Sequence, residues 1–200
     1  MSQDLRTQKT RTAIEDSLIR LLQCYPFQEI TVRMLIEDCR INRSTFYRNY
    51  EDKYALIAQI AQRLLDEYRA VLRPEVIVEQ ELDEERLQSC FRPLVRFFSE
   101  NRERLSVMRA RELPVDLFGD MLALYAQRLL EVLKRHYCLK EPDITMAAYF
   151  SRIIASNILT AILWWHEDGS RKEEPELLQL IATTVTKGIF QSMEQQFQKG

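Results

Sequence analysis

The chain has 200 residues, of which 46% are hydrophobic, and its formal net charge at pH 7 is −2. This length allows one domain or two small ones with a buried core, and so small a net charge excludes a protein that coats nucleic acid by electrostatic attraction alone. Because only 4 glycines and 6 prolines interrupt long stretches of helical periodicity, we predict an all-α protein.

The amino-terminal region predicts one helix that supports the two helices after it. Residues 1–10 are polar, and we expect them to be frayed. The helix that follows ends before Pro26, because a proline disfavours helical geometry in the residue before it. Its apolar face consists of Ile14, Leu18, Leu21 and Leu22.

Residues 29–57 have the pattern of two short helices joined by a tight turn and followed by a third helix. Thr31 is suited to cap the first helix and Asn42 to cap the second, because both side chains accept hydrogen bonds from helix amide groups. Arg40 and Ile41 form the turn between the two helices.

The second of these helices has one polar face, while Phe46 and Tyr50 lie four residues apart and turn inward. Its exposed residues are Ser44, Thr45, Tyr47, Arg48 and Asn49. At about 1.5 Å per residue, nine residues span roughly 13 Å, which suits a B-DNA major groove about 12 Å wide. This pattern is typical of a helix-turn-helix motif with residues 42–50 as the recognition element.

A more specific pattern runs through this motif. It consists of Thr31-Val32-Arg33, then Asn42-Arg43-Ser44-Thr45-Phe46-Tyr47-Arg48-Asn49-Tyr50, then Lys53 and Leu56. These residues resemble the DNA-binding domain of the TetR family of transcriptional regulators. Arg40 stands where the family usually has a glycine, which would cost on the order of 1 kcal/mol if the backbone there keeps a positive φ. Asn49 replaces the usual histidine.

The resemblance implies an amino-terminal helix-turn-helix domain of three helices that binds double-stranded DNA, with Tyr47 and Lys53 on phosphates. Side-chain chemistry adds Arg43 and Arg48 as donors to guanine edges or phosphates. Thr31 and Arg33, at a helix N-terminus, are predicted to hold the DNA phosphate backbone. For any single basic residue, the alternative is that it belongs to the ordinary solvated surface and has no binding role. The predicted DNA-contacting residues are Thr31, Arg33, Asn42, Arg43, Ser44, Thr45, Tyr47, Arg48, Asn49 and Lys53.

The rest of the chain is predicted to be helical, apart from an acidic loop at residues 74–86. We place the DNA-binding domain at residues 1–55 and a helical regulatory and dimerisation domain at residues 56–200. Helices are predicted to cover about residues 52–73, after Glu51 as a suitable N-cap, and then residues 87–101, 104–111, 115–137, 143–168 and the region from 175 onward.

The last two predicted helices carry more apolar surface than one small body can cover. Asp143 is suited to cap the first of them, and Pro175 fits the first turn of the second. We therefore expect two helices from each of two chains to form a homodimer interface, the alternative being a purely internal core. The predicted interface residues are Ile158, Ile162, Trp165, Ile181, Val185 and Ile189.

The resemblance also implies a small apolar effector in the carboxy-terminal domain. Aromatic and methionine side chains are suited to line such a cavity, although the same side chains can fill a core. The candidate lining residues are Phe98, Met108, Phe118, Met121, Tyr125, Tyr149 and Trp164.

No motif in the sequence indicates an enzyme, a cofactor or a metal site. There is no glycine-rich phosphate loop, Gly-x-Ser-x-Gly or His-Glu-x-x-His, and His136 and His166 have no metal-ligand spacing to the cysteines. The amino terminus is polar, and no uninterrupted apolar run reaches the roughly 18 residues of a membrane span. We therefore expect a cytoplasmic protein with reduced thiols and no membrane partner.

Together these patterns predict a TetR-type transcriptional regulator that binds a pseudo-palindromic operator as a homodimer, with a DNA affinity controlled by a small-molecule effector. The alternative keeps the fold but has no autonomous operator binding. It is a helical co-regulator or adaptor that acts through a partner protein. Salt-dependent binding to a specific DNA would favour the first hypothesis.

Overall fold

The computed structural model describes residues 2–78, 84–110, 112–167, 173–185 and 188. Over these residues the chain forms nine α-helices, one short 3-10 helix and no strand, so the predicted all-α class is confirmed. The helices are α1 (Ser2–Cys24), α2 (Val32–Asp38), α3 (Arg43–Asn49), α4 (Lys53–Val71), the 3-10 helix (Pro74–Val78), α5 (Glu84–Glu100), α6 (Arg102–Ala110), α7 (Leu117–Tyr137), α8 (Asp143–Glu167) and α9 (Glu174–Thr184).

The chain divides into two compact units. The first unit comprises residues 1–66 and 103–117, and the second comprises residues 67–102 and 118–200. The division falls inside α4, later than the domain boundary that we predicted after residue 55. It also assigns most of α6 to the first unit, although α6 is distant from the helix-turn-helix along the chain.

Two side-chain contacts connect α6 to α1 inside the first unit. The Arg104 guanidinium pairs with the Asp16 carboxylate at 3.0 Å, and the Gln23 amide donates to the Glu103 carboxylate at 2.6 Å. Because these partners are about eighty residues apart in sequence, periodicity within α6 gives no indication of them. Such exposed pairs contribute about 0–1 kcal/mol each, so they orient α6 more than they stabilise it.

The α1 helix forms the buried support that its periodicity predicts. Ile14, Leu18 and Leu22 are fully buried, as are Leu35 of α2 and Phe46 of α3, whereas Leu21 is only half-buried. The helix begins at Ser2, so residues 2–10 are helical rather than frayed. No glycine or proline interrupts them, and adding residues to an existing helix costs little once its buried part has nucleated.

The α8 and α9 helices pack together in the second unit, and α5 packs against both. Four of the residues predicted for a homodimer interface are already buried in the single chain: Ile158, Ile162, Ile181 and Val185. They belong to the internal core, which was the alternative, because a side chain covered by its own chain has no surface left for a partner. Trp165 is half-buried, and Ile189 lies outside the described residues.

The α8 helix is also the most hydrophobic element. By length and composition alone it could cross a membrane, with a mean hydropathy of 1.4 over its most apolar window. Eight of its residues are buried within the protein, among them Phe150, Ile154 and Ile158. Core helices of globular proteins share these features, so they carry no membrane assignment.

Candidate nucleic-acid interface

The α2 helix begins with the cap that the sequence predicts. Thr31 has extended backbone angles, and its hydroxyl oxygen accepts a hydrogen bond from the Met34 amide at 3.3 Å. Arg33 is exposed on the first turn and pairs with Glu37 one turn later, with 2.7 Å between Nε and Oε1. The hydrogen bond to Glu37 raises the pKa of Arg33, so the guanidinium stays charged and an incoming phosphate would compete with Glu37 for it.

The turn between α2 and α3 uses a left-handed residue that is not glycine. Arg40 has φ = 52°, which confirms the positive φ considered from the sequence. The Ile41 amide donates to the Ile36 carbonyl at 3.2 Å, and the Cys39 amide donates to the Leu35 carbonyl at 3.0 Å. The bond from Ile41 to Ile36 spans five residues and encloses the left-handed Arg40. This is the pattern of a Schellman cap, in which the left-handed residue is usually glycine.

Asn42 organises the amino-terminal turn of α3. Its Oδ1 atom accepts three hydrogen bonds, from the Thr45 amide at 2.8 Å, the Thr45 hydroxyl at 2.6 Å and the Ser44 hydroxyl at 2.8 Å. The predicted cap is therefore confirmed. Both hydroxyl protons are used inside the turn, so Ser44 and Thr45 would approach DNA with their acceptor lone pairs unless these bonds open.

The outer face of α3 presents cations and one tyrosine. Arg43, Tyr47 and Arg48 are exposed, Tyr47 by 46% of its surface. The Arg43 guanidinium lies over the Tyr47 ring, 5.6 Å from its centroid, in a cation–π arrangement that holds both side chains on one side of the helix. Asn49 is half-buried, and its amide donates to the Thr45 carbonyl of the same helix at 2.8 Å.

The inner face of α3 is formed by Phe46 and Tyr50, both buried as predicted. The Tyr50 hydroxyl donates to Oε1 of Glu15 in α1 at 2.7 Å, and Arg63 of α4 pairs with the same carboxylate oxygen. Burial, followed by the hydrogen bond to Glu15, raises the pKa of Tyr50. Sequence reasoning missed Glu15 and Arg63, although an acidic residue next to Ile14 on the apolar face of α1 was a signal for them.

Lys53 makes contacts that its predicted role did not include. Its ammonium group donates to three carbonyl oxygens, those of Phe27 at 2.7 Å, Gln28 at 3.0 Å and Ile30 at 2.7 Å. The nitrogen also lies 4.7 Å from the centroid of the Phe27 ring. An ammonium group has three donors, so the phosphate contact predicted for Lys53 requires that one of these bonds breaks.

The seven predicted effector-binding residues are divided between the two units and differ in burial. Phe98, Met121 and Tyr125 are core residues of the second unit, whereas Met108 is buried in the first unit. Phe118 is half-buried, and Tyr149 and Trp164 are exposed. Tyr149 lines an open cavity of about 700 Å³ at the start of α8, together with Pro142, Asp143, Thr145 and Met146.

In the described part of the chain, no group of three or more histidine, cysteine or acidic side chains has the arrangement of a metal site. Cys24, Cys39, Cys90 and Cys138 form no disulfide with one another. The exposed cations of α2 and α3, among them Arg33, Arg43 and Arg48, favour an anionic partner.

Comparison with known proteins gives matches in structure only. No protein-family profile matches the chain, and no curated protein matches it. A TetR transcriptional regulator from Streptococcus agalactiae has a TM-score of 0.59 and 23% sequence identity, covering 92% of this chain and 98% of that one. A TetR-family regulator from Streptomyces coelicolor has a TM-score of 0.64 and 16% identity, covering 96% and 86%.

A third solved structure is that of FadR from Thermus thermophilus, a TetR-family transcriptional repressor in complex with lauroyl-CoA. Its TM-score is 0.51 and its identity 22%, with coverage of 89% of this chain and 94% of that one. At such identities the likeness concerns the fold. The chain therefore has the fold of the TetR-family transcriptional regulators, with an amino-terminal helix-turn-helix and a carboxy-terminal helical region.

Proposed function

We propose that this protein is a TetR-type transcriptional regulator that binds a pseudo-palindromic DNA operator as a homodimer. The observation that carries the proposal is the outer face of α3, where Arg43, Tyr47 and Arg48 are exposed on a helix capped by Asn42. A helix of this length fits the major groove, and guanidinium groups can donate in pairs to guanine or to phosphate. A role on chromosomal DNA implies a cytoplasmic location.

The other proposed contacts follow from position. Thr31 and Arg33 lie in the first turn of α2, where helix amides and a cation favour a phosphate. Asn42, Ser44, Thr45 and Asn49 lie on or beside α3 with their side chains bonded inside it. We propose that these four residues mainly maintain the shape of the helix, and that Arg43, Tyr47 and Arg48 make the direct contacts with DNA.

The test begins with selection of bound duplexes from a random DNA library by the full chain, followed by binding measurements on the selected sequence. Arg48→Ala and Tyr47→Phe should weaken binding, Arg48→Ala by about 5- to 150-fold, since a good base contact contributes about 1–3 kcal/mol. The thermal midpoint should hardly change, because both side chains are exposed. Arg96→Ala is the matched control, because Arg96 is an exposed arginine on α5, outside the motif.

Two outcomes would contradict the proposal. A large loss of stability with intact binding would show that Arg48 and Tyr47 have structural roles. Selection of no DNA at low salt, together with capture of a partner protein by the full chain, would favour the adaptor hypothesis.

We further propose that a small apolar effector controls the DNA affinity. Support comes from the lauroyl-CoA complex of the similarly folded FadR. An effector can change DNA affinity only if it binds one state of the protein more tightly than another. Thermal shift with a series of acyl-CoA thioesters tests this, and a flat response to every member would count against it.

A further inference from the structure

A buried carboxylate connects the end of the recognition helix to two other helices. Glu15 is only 3% exposed, and it lies where the buried core of the first unit meets a polar pocket lined also by Arg11, Gln59 and Arg63. Burying a charge is costly unless it is paired and hydrogen-bonded. Neither its own helix nor the apolar core requires an acidic group at this place, so its partners indicate its role.

Both partners bind the same oxygen atom. Tyr50 donates its hydroxyl to Oε1 of Glu15 at 2.7 Å, and Arg63 of α4 forms an ion pair with Oε1. A hydroxyl that donates to an ionised carboxylate makes a stronger and more directional bond than one that donates to a neutral acceptor. A guanidinium only donates and a carboxylate oxygen accepts, so Arg63 and the Tyr50 hydroxyl are both donors to this one oxygen of Glu15.

Tyr50 is the residue at which α3 ends. Its amide donates to the Phe46 carbonyl at 2.9 Å, and its backbone then becomes extended. The helix has only seven residues, and Phe46 and Tyr50 are its buried anchors. Phe46 packs without directional preference, and the Asn42 cap bonds only within the first turn, so the Tyr50 hydroxyl supplies the directional bond from α3 to the rest of the unit.

We propose that Tyr50 and Glu15 are positioning residues that fix the orientation of α3 for entry into the DNA groove, with Arg63 holding the carboxylate in place. This inference rests on the proposed DNA-binding function. Arg48 precedes Tyr50 by two residues, so a small rotation at Tyr50 moves the guanidinium relative to a base edge. Base contacts need close alignment, whereas contacts with the phosphate backbone tolerate more variation.

The first experiment uses Tyr50→Phe in the full chain, which keeps the buried ring and removes only the hydroxyl. Tyr25→Phe is the matched control, because Tyr25 is exposed and not part of the proposed interface. Affinity is measured for the selected operator and for random-sequence duplex. We expect Tyr50→Phe to weaken operator binding about tenfold and random-sequence binding less than twofold. An unchanged ratio of the two affinities would overturn the proposal, since a merely less stable protein loses both equally.

A double-mutant cycle tests whether the two residues act through one bond. Glu15→Gln keeps an acceptor oxygen for Tyr50 and should retain most of the operator preference, whereas Glu15→Leu should lose as much of it as Tyr50→Phe does. The double variant Glu15→Leu/Tyr50→Phe should be no worse than either single variant. Additive losses would mean that the two residues act independently, which would overturn the proposal.

A measurement without DNA separates this proposal from the proposed function. Amide hydrogen exchange in residues 43–50 should become several-fold faster in Tyr50→Phe, while exchange in the buried parts of α1 and α4 stays unchanged. If the wild-type chain selects no DNA, the regulator proposal fails, and this exchange result still decides whether the bond between Tyr50 and Glu15 holds α3 in place. Unchanged exchange in α3 would overturn it.

Discussion

At the scale of single residues, two helices end on a left-handed residue with a side chain. Arg40 after α2 and Cys138 after α7 both have φ = 52°. In each case the following amide donates five residues back, from Ile41 to Ile36 and from Leu139 to Lys134, both at 3.2 Å. A residue with a Cβ atom is strained there by about 1–2 kcal/mol.

Replacing Arg40 by glycine should therefore stabilise the protein. We expect a gain of about 0.5–1 kcal/mol in the free energy of unfolding, because relief of strain exceeds the added entropy of a glycine in the unfolded chain. Urea denaturation measures this. Arg40→Ala is the control, since it removes the same charge but keeps the Cβ atom, and a glycine variant no more stable than the alanine variant would contradict the argument.

His166 is a second residue whose state depends on its surroundings. Burial, and then the charge of Arg102, lower its pKa below the ordinary value of 6.5. Its ring stacks on Phe98 with 6.3 Å between centroids, and its Nε2 atom has no hydrogen-bond partner among the described residues. The folded protein therefore holds this histidine neutral.

The free energy of unfolding should fall as the pH decreases below about 6.5, because the unfolded chain then binds a proton before folded His166 does. Below this pH, His166 alone lowers the free energy of unfolding by at most about 1.4 kcal/mol per pH unit. Well above pH 6.5 it has no pH-dependent effect. In His166→Gln the contribution should vanish, whereas the exposed His136→Gln should keep it. Denaturation from pH 7 to pH 5 measures the difference, and identical pH profiles for His166→Gln and wild type would refute it.

At the scale of elements, the helix-turn-helix is held together by bonds that cross between segments. The ammonium of Lys53, the first residue of α4, binds the carbonyl groups of the loop between α1 and α2. Its nitrogen also lies 5.6 Å from the centroid of the adjacent Tyr54 ring. This arrangement ties the start of α4 to the segment that precedes the Thr31 cap.

Lys53→Met should decrease the free energy of unfolding by about 1–2 kcal/mol, because three partly buried or exposed carbonyl groups lose a charged donor. Measuring DNA affinity against salt separates the two roles of this residue. Loss of a phosphate contact would reduce the magnitude of the salt slope by about 1, whereas loss of a structural contact leaves it unchanged. A smaller salt slope with unchanged stability would contradict the structural role and would support the phosphate contact predicted for Lys53 from the sequence.

At the scale of the whole molecule, the second unit retains apolar surface after its core is filled. Met146, Tyr149 and Trp164 of α8 and Leu180 of α9 are each between 38% and 58% exposed. Because four of the six residues first predicted for the interface are buried in one chain, these four exposed residues are our revised candidates for the homodimer contact. Exposed apolar side chains on neighbouring elements commonly mark such contacts.

We expect the protein to sediment at twice its chain mass of 23.8 kDa at micromolar concentration. Combining Tyr149→Asp with Leu180→Asp should increase the dimer dissociation constant at least a hundredfold, because burying two unpaired charges costs several kcal/mol. Tyr25→Asp, in the first unit, is the control. Analytical ultracentrifugation measures this, and a monomeric wild type would contradict the dimer.

The amino-acid sequence by itself determined the local features of this protein. The caps Thr31 and Asn42 and the common helix face of Phe46 and Tyr50 follow from interactions within a few residues, whereas a positive φ at Arg40 was considered only because of the family resemblance. Helical periodicity and capping act over that range, so they can be predicted from the sequence alone.

Only the tertiary structure decided which distant groups meet. Glu15 and Tyr50 are 35 residues apart, and Lys53 is 26 residues from Phe27. The same holds for α8 and α9, whose apolar residues Ile158 and Ile181 are covered inside one chain. Periodicity gives the direction in which a side chain leaves its helix, but the neighbour that covers it depends on how the helices pack.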